Sequence, residues 1–277
     1  MTKKYTALGL MSGTSGDGVD ASLIESDGEH TYKVIKDKYF KYNQAIFEGI
    51  HSLKEKLASI KDLDKNQLEI KDLEKQITLF HSKVVQEFSQ DFKFDLVGFH
   101  GQTIYHNPKE KISKQLGDGY LFSQLIKKKI VYNFREKDLQ NGGQGAPLAP
   151  IFHKILLKQL KYKLPAAVLN IGGIANITII KNFIKNDFES YDVGPGNCLV
   201  DEWIRKNEDK NYDFNGEHSS RGTHNEIVLE QIQDNFNNYF EKKINTSLDT
   251  KDFDISFVRG LSINDGAATL AEFTSRV

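Results

Sequence analysis

A single cysteine, Cys198, is all that 277 residues contain. That excludes an internal disulfide framework and any zinc site built on cysteines alone. Excess charge of either sign is missing as well: 37 Lys and Arg stand against 38 Asp and Glu, a formal net charge of −1. Such a balance argues against a nucleic-acid partner bound through bulk positive charge. Long apolar runs are absent too. The opening MTKKYTALGL is too short and lacks the small-residue cleavage site of a signal peptide. AAVLNIGGIANITII is broken by Gly and Asn and falls short of a membrane span. These absences lead to the expectation of a soluble protein in a reducing cytoplasm. Missing motifs narrow the chemistry further. There is no GxxxxGK(S/T) phosphate loop and no GxGxxG between a strand and a helix. No HExxH or zinc-ligand spacing occurs among the eight histidines, and no GxSxG nucleophile elbow.

What is present is a composition with a core, 39% hydrophobic and 27% charged, and an uneven distribution of glycine. Between Glu29 and Val97 only Gly49 occurs, whereas clusters fall at 13–18, 98–101, 117–119, 142–145, 172–173 and 194–196. Glycine collects where backbone turns sharply or approaches a ligand, so one site assembled from several loops is expected.

YTALGLMSG, VDASLIES and TYKVIKDKYFKY read as three strands. Ile70, Leu73, Ile77, Phe80, Val84 and Phe88 recur at helical spacing. FDLVGFH (94–100) reads as a buried strand ending in a loop, and KIVYNF (129–134) as another strand. A second unit is expected from the glycine-rich connector that starts at Asp138, giving lobes 1–136 and 137–277. In the second lobe APLAPIFHKILLKQL predicts a helix and 165–180 a glycine-turned hairpin. A helix begins near Asn197, with Leu199, Val200, Trp203 and Ile204 as its stripe. The charge-rich stretches 205–217 and 234–254 read as solvated surface. A last helix is capped by Asn264 or Asp265. Strand blocks followed by helices in each half predict two α/β lobes with a cleft between them.

The strongest signal is Gly13-Thr14-Ser15-Gly16-Asp17-Gly18-Val19-Asp20. The Asp17-Gly18 pair alone suffices for a tight type I′ hairpin. The surrounding Ser, Thr and Gly add main-chain N–H groups and hydroxyls that suit a phosphate chain. Asp17 and Asp20 beside phosphates make sense as Mg²⁺ ligands. A turn with Asx-type hydrogen bonds explains the same residues equally well. Gly172-Gly173, in LNIGGIAN with Asn176, suggests a second phosphate-facing turn, although such a pair alone more often marks a bend. Asp192 in YDVGPGN stands at a strand end before a helix, a position for a general base or for bonds to nearby backbone N–H groups. His100, Gln102 and Thr103, with His106, suit a hydroxyl-rich ligand. The Gln144-Gly145 loop fits a ligand or a hinge. Trp203 and Cys198 read as core.

Taken together, GLMSGTSGDGVDASLIE, GFHGQTIYHNP, LGDGYLFSQLI, NFREKDLQNGGQGAPLAP, LNIGGIANIT, YDVGPGNCLVDEW and FVRGLSINDGAATLAEFT resemble the anhydro-N-acetylmuramic acid kinases of bacterial cell-wall recycling. They occur in family order over nearly the whole chain. The resemblance implies a two-lobed α/β fold of the sugar kinase/Hsp70/actin (ribonuclease H-like) type with ATP and Mg²⁺ between the lobes. It implies that Gly13 to Asp20 form the ATP phosphate loop, Gly172-Gly173 the opposing turn, and Asp192 the catalytic base. His100, Gln102, Thr103, Asp118, Gln144, Gly145 and Asn176 would contact the sugar. A homodimer is a family expectation. Two departures are visible. Family chains run on past the final helix into a glycine-rich segment that helps hold adenosine, whereas this sequence stops at Val277; Gly16 stands where a bulkier residue is usual. The alternatives are a non-catalytic nucleotide-binding relative, or a kinase for another sugar.

Overall fold

The computed structural model describes residues 3–183, 187–240, 248 and 250–277. The chain divides into two compact units, Met1–Tyr162 and Lys163–Val277.

The first unit opens with a meander: β1 (Tyr5–Ser12), β2 (Gly18–Ser26) and β3 (Tyr32–Lys41). β1 and β2 pair antiparallel with Leu8 opposite Leu23 and Leu10 opposite Ala21. Because side chains alternate along a strand, these residues share one face with Val19, and all are buried. β3 is different. It forms one edge of the sheet, and nearly every side chain is exposed, with Lys33, Lys36, Lys38 and Lys41 along it. Lysines at a sheet edge discourage pairing with another chain.

Helices α1 (Gln44–Lys56), α2 (Ile60–Lys65) and α3 (Gln67–Asp91) follow. Asn43 caps α1, its side-chain oxygen accepting from Ile46 N at 2.9 Å. Ile46, Ile50 and Leu53 of α1 join Ile70, Leu73, Ile77, Val84 and Phe88 of α3 in the core under β1 and β2. Phe80, expected on that stripe, is only partly buried. Full burial of each such side chain contributes roughly 1.5–3 kcal/mol.

After α3 the chain returns as β4 (Leu96–Asn107), parallel to β1. The expected short strand ending at His100 therefore continues for seven more residues, 101–107, through Gln102, Thr103 and His106. At His100-Gly101 the strand bulges: Leu10 pairs near Phe99, but Ser12 pairs with Gln102. Gly101 has φ +72°, and a Cβ there would lie 2.3 Å from Leu116 O, so glycine permits the bulge. Before it β4 pairs with β6 (Lys129–Tyr132); beyond it the partner is β5 (Ile112–Leu116). The bulge is where the strand changes neighbours.

Helices α4 (Gly119–Ile126), α5 (Glu136–Gln140) and α6 (Pro150–Gln159) complete the unit. The compact units meet later in sequence than the expected 136/137. Gln159 exchanges two hydrogen bonds with the Tyr32 backbone, at 3.1 and 3.0 Å, and Phe152 packs edge-on against Tyr32. The glycine-rich connector and α6 thus belong with the first meander.

The second unit repeats the pattern: β7 (Ala166–Ile171), β8 (Ile174–Ile180) and β9 (Phe188–Pro195) form an antiparallel meander. Helices α7 (Cys198–Asn207), α8 (Glu226–Phe240) and α9 (Ile263–Arg276) follow. The expected α7 stripe of Leu199, Val200, Trp203 and Ile204 is buried, against Leu229, Ile232, Phe236, Leu270 and Phe273. A Cβ on Gly266 would stand 2.5 Å from the Trp203 ring, which fixes how closely α9 approaches α7. Two readings change here. α9 is capped by Ser262, whose Oγ accepts from Asp265 N at 3.1 Å, in place of Asn264 or Asp265. The start of the 234–254 stretch is the end of α8, with Phe236 buried, and 241–247 and 249 of that stretch lie outside the described residues.

Candidate active site

The residues singled out in the sequence are divided between the two units. In the first, the turn between β1 and β2 takes a shape other than the tight Asp17-Gly18 hairpin. Gly16 N donates to Gly13 O at 3.2 Å, and the left-handed residue is Gly16, at φ +66°. A Cβ on Gly16 would sit 2.9 Å from Ile50 Cγ2, so here the small residue answers both the backbone conformation and the core beneath. Gly18 is equally confined, because a Cβ there would lie 2.5 Å from Phe40 O. Val19 is core.

Gln102 belongs to the turn and is fully buried. Its Nε2 donates to Gly13 O at 3.0 Å and to Thr103 O at 3.3 Å, while its Oε1 has no partner among the described residues. Gln102 thus braces the turn. Ser12, also buried, lies 2.7 Å from Tyr42 OH and 3.4 Å from His81 Nε2. His81 Nδ1–H donates to Ile77 O at 2.8 Å, and burial depresses its pKa to about 4. Its Nε2 is thus an acceptor, Ser12 donates to it, and Tyr42 donates to Ser12. Burial likewise pushes the Tyr42 hydroxyl pKa upward, so this chain of groups stays neutral under the turn.

Ser15 Oγ donates to Asp17 at 2.6 Å. Partial burial first, and then the neighbouring Asp17 charge, raise the pKa of Asp20. Two carboxylates that repel in this way fit one divalent cation, and Mg²⁺ characteristically takes one or two carboxylates plus waters and phosphate oxygens. Among the described residues no group of three or more His, Cys, Asp or Glu side chains is placed to hold a metal.

His100 lines a cavity of about 370 Å³ with Glu74, Lys111, Ser113, Gln115 and Asn133. Its Nδ1–H donates to Gly101 O at 2.8 Å, and Arg135 donates to its Nε2 from Nε at 3.2 Å and Nη2 at 3.0 Å. Burial and then the Arg135 charge hold the His100 pKa at about 4. Arg135 is half-buried against a neutral imidazole, and among the described residues it forms no ion pair. A guanidinium in this setting has the donor geometry that suits an anion. Thr103 Oγ1 accepts from Gln115 Nε2 at 3.3 Å. Asp118 caps α4, its carboxylate accepting from Leu121 N at 2.9 Å. Gly145 N donates to Asp138 at 2.7 Å, leaving Gln144 exposed on that loop.

In the second unit, Asn176 of β8 stands opposite both Asn170 of β7 and Asp192 of β9. Directly opposed residues share a face, so the three make a polar row across the sheet. A bulge at Val193 of β9, opposite Ala175 and Asn176, sets that register. Asp192 lies inside β9, not at its end, and accepts from Leu248 N at 2.8 Å. Burial raises its pKa, and that one backbone bond opposes the rise. The Gly172-Gly173 turn gives its carbonyls to the start of α7: Asn197 N reaches Gly172 O at 2.7 Å, and Gly196 N and Cys198 N reach Gly173 O at 3.0 and 3.2 Å.

Residues 5–276 match the family described as anhydro-N-acetylmuramic acid kinase. The chain belongs to that family. Its curated relatives include the anhydro-N-acetylmuramic acid kinases of Pelagibacter ubique, 56% identical over 99% of this chain and 74% of that protein, and of Gluconobacter oxydans, 39% identical over 97% and 75%. A solved structure of the Aquifex aeolicus PPX-GPPA enzyme is similar at a TM-score of 0.34 and 10% identity, over 74% of this chain and 56% of that one. That likeness is too loose to argue from. Among the described residues no helix is long and apolar enough to cross a membrane.

Sequence reasoning misses Arg135, Asn170 and the Ser12–Tyr42–His81 chain. Arg135 lies within the motif NFREKDLQNGGQGAPLAP, but its pairing with His100 spans 35 residues and leaves no local trace. Asn170 is legible in principle, two residues before Gly172, once 165–180 is read as a hairpin.

Proposed function

We propose that this kinase adds water across the 1,6-anhydro bridge of anhydro-N-acetylmuramic acid and phosphorylates the oxygen so released with ATP. Asp192 takes a proton from water as the water oxygen bonds to the anomeric carbon. The bond from that carbon to the sixth-position oxygen breaks. That oxygen then attacks the γ-phosphorus, and ADP leaves with the electron pair of the broken P–O bond. The product is N-acetylmuramate 6-phosphate, a step of cell-wall recycling; the single cysteine accords with a cytoplasmic site.

The observation that carries the reading is the setting of Asp192. It is a half-buried carboxylate in a polar row with Asn170 and Asn176, its pKa raised by burial, the direction that favours a general base. In the first unit we assign the ATP phosphates to the turn from Gly13 to Asp17, and in the second to Gly172-Gly173. Asp17 and Asp20 would hold Mg²⁺, which neutralises charge on the phosphate oxygens. Arg135 supplies a cation for the one carboxylate of the muramic acid substrate, beside sugar contacts from His100 and Thr103. Dimerisation belongs to this proposal as a family trait.

Asp192→Asn is expected to keep ATP affinity within about two-fold and lose at least roughly 10²–10⁴ in turnover. The assay is ADP release with the anhydro sugar, against other hexoses as controls. Normal turnover in the variant removes Asp192 from the role, and faster release with another hexose reassigns the substrate. The acid limb of kcat/KM should lie above the usual aspartate range of about 3.9, the direction in which burial moves Asp192.

A further inference from the structure

A phosphate-binding turn works by aiming N–H groups, and in this one the aiming is done from behind. Thr14 O accepts from Lys54 Nζ at 2.6 Å, and Ser15 O accepts from His51 Nε2 at 2.9 Å. Both donors come from α1, three residues apart and so on one face of the helix. Ile50, next to them, is fully buried beneath Gly16. Gly13 O is held by Gln102 and Gly16 N, and Asp17 O by Tyr42 N at 2.9 Å. Four carbonyls of the five-residue turn are thus fastened.

In a trans peptide the C=O and the following N–H point in opposite directions. Fastening Gly13 O to Gln102 turns the Thr14 N–H away from the buried side, and fastening Thr14 O to Lys54 turns the Ser15 N–H away from α1. Neither N–H donates a hydrogen bond among the described residues. The Lys54 ammonium also polarises the peptide it holds, which strengthens that peptide's N–H as a donor.

We propose that Lys54 and His51 are positioning residues for nucleotide phosphate, acting through the carbonyls of Thr14 and Ser15 without touching the phosphate. The inference rests on the reading of this turn as a phosphate site and adds the two side chains that tune its affinity. Both are only partly buried on the surface of α1, so their replacement leaves the core intact.

The experiment compares Lys54→Met, His51→Phe and the double variant with Lys54→Arg and His51→Gln, which retain a donor. Calorimetry with Mg·ATP gives the affinity; steady-state assays give KM for ATP and for the anhydro sugar; thermal melts give stability. Lys54→Met is expected to raise the Kd and KM for ATP about ten-fold and His51→Phe about three-fold, the scale of one charge-assisted and one neutral hydrogen bond. KM for the sugar and the melting temperature should stay put, with Arg and Gln restoring most of the loss. An unchanged ATP affinity in the double variant, or an equal rise in both KM values, overturns the proposal. Wild-type protein that turns over with ATP but shows no salt-independent phosphate contribution, ATP binding no tighter than adenosine, overturns the phosphate reading of the turn and this inference with it.

Discussion

The turn between β1 and β2 has three of its four fastened carbonyls held by side chains that arrive from β4 and α1, whereas the turn between β7 and β8 has both glycine carbonyls held by main-chain N–H groups at the start of α7. The two hairpins occupy the same place in their meanders, yet they are braced with different materials. Side-chain bracing can be removed one group at a time while the fold survives. Backbone bracing cannot, because its geometry is the fold. The first turn is therefore adjustable by substitution and the second is nearly all-or-none.

Gly196→Ala is the sharpest way to break the second turn. A Cβ at Gly196 would stand 2.1 Å from Gly172 O, and neither backbone can yield without losing the bonds between them. A loss on the order of 3 kcal/mol is expected, read by denaturant titration of Trp203 fluorescence. Trp203 is the sole tryptophan and lies in the core of that unit. A variant as stable as the parent would show that the turn is loosely held.

Acid separates the units next. His81 is fully buried and neutral in the first unit, its pKa depressed from 6.5 to about 4. A base depressed on folding contributes stability that is complete above pH 6.5 and lost as pH falls toward 4. The amount is on the order of 3 kcal/mol, and His100 acts in the same direction. In the second unit Asp192, raised by burial, favours the folded state at low pH. As pH falls from 6.5 to 4, amide protection relative to the intrinsic exchange rate at each pH should drop in β1, β4 and α3 while Trp203 fluorescence holds. Simultaneous loss of both signals would contradict the assignment.

Gln102→Leu is the smallest in stability and the most telling for the first turn. It removes the bond to Gly13 O and, with it, a buried acceptor that has no partner among the described residues. The two effects offset, so stability should change by less than about 1 kcal/mol. The KM for ATP should rise while that for the sugar does not. An equal effect on both would return Gln102 to the sugar contacts.

The same contrast explains what the sequence discloses. Helical spacing from Ile70 to Phe88 announces α3, and the hairpins show as apolar segments around glycine, because those signals are local. β4 reads too short because HGQTIYH looks like a loop: its polar residues continue a strand whose neighbours, β5 and β6, lie elsewhere in the chain. Gln102 and Asp118 stand out in the sequence, but the bond of one to a carbonyl 89 residues away and the helix cap made by the other are invisible in composition. Arg135 on His100 and the row from Asn170 to Asp192 need the bulges in β4 and β9, and bulge positions are set by tertiary pairing.

The account depends most on Thr14 and Ser15 offering their N–H groups to nucleotide phosphate. Amide hydrogen exchange resolved at those two residues, with and without Mg·ATP, tests it most directly. Marked slowing at both is the predicted result. ATP bound at saturation with the exchange of both amides unchanged would contradict it.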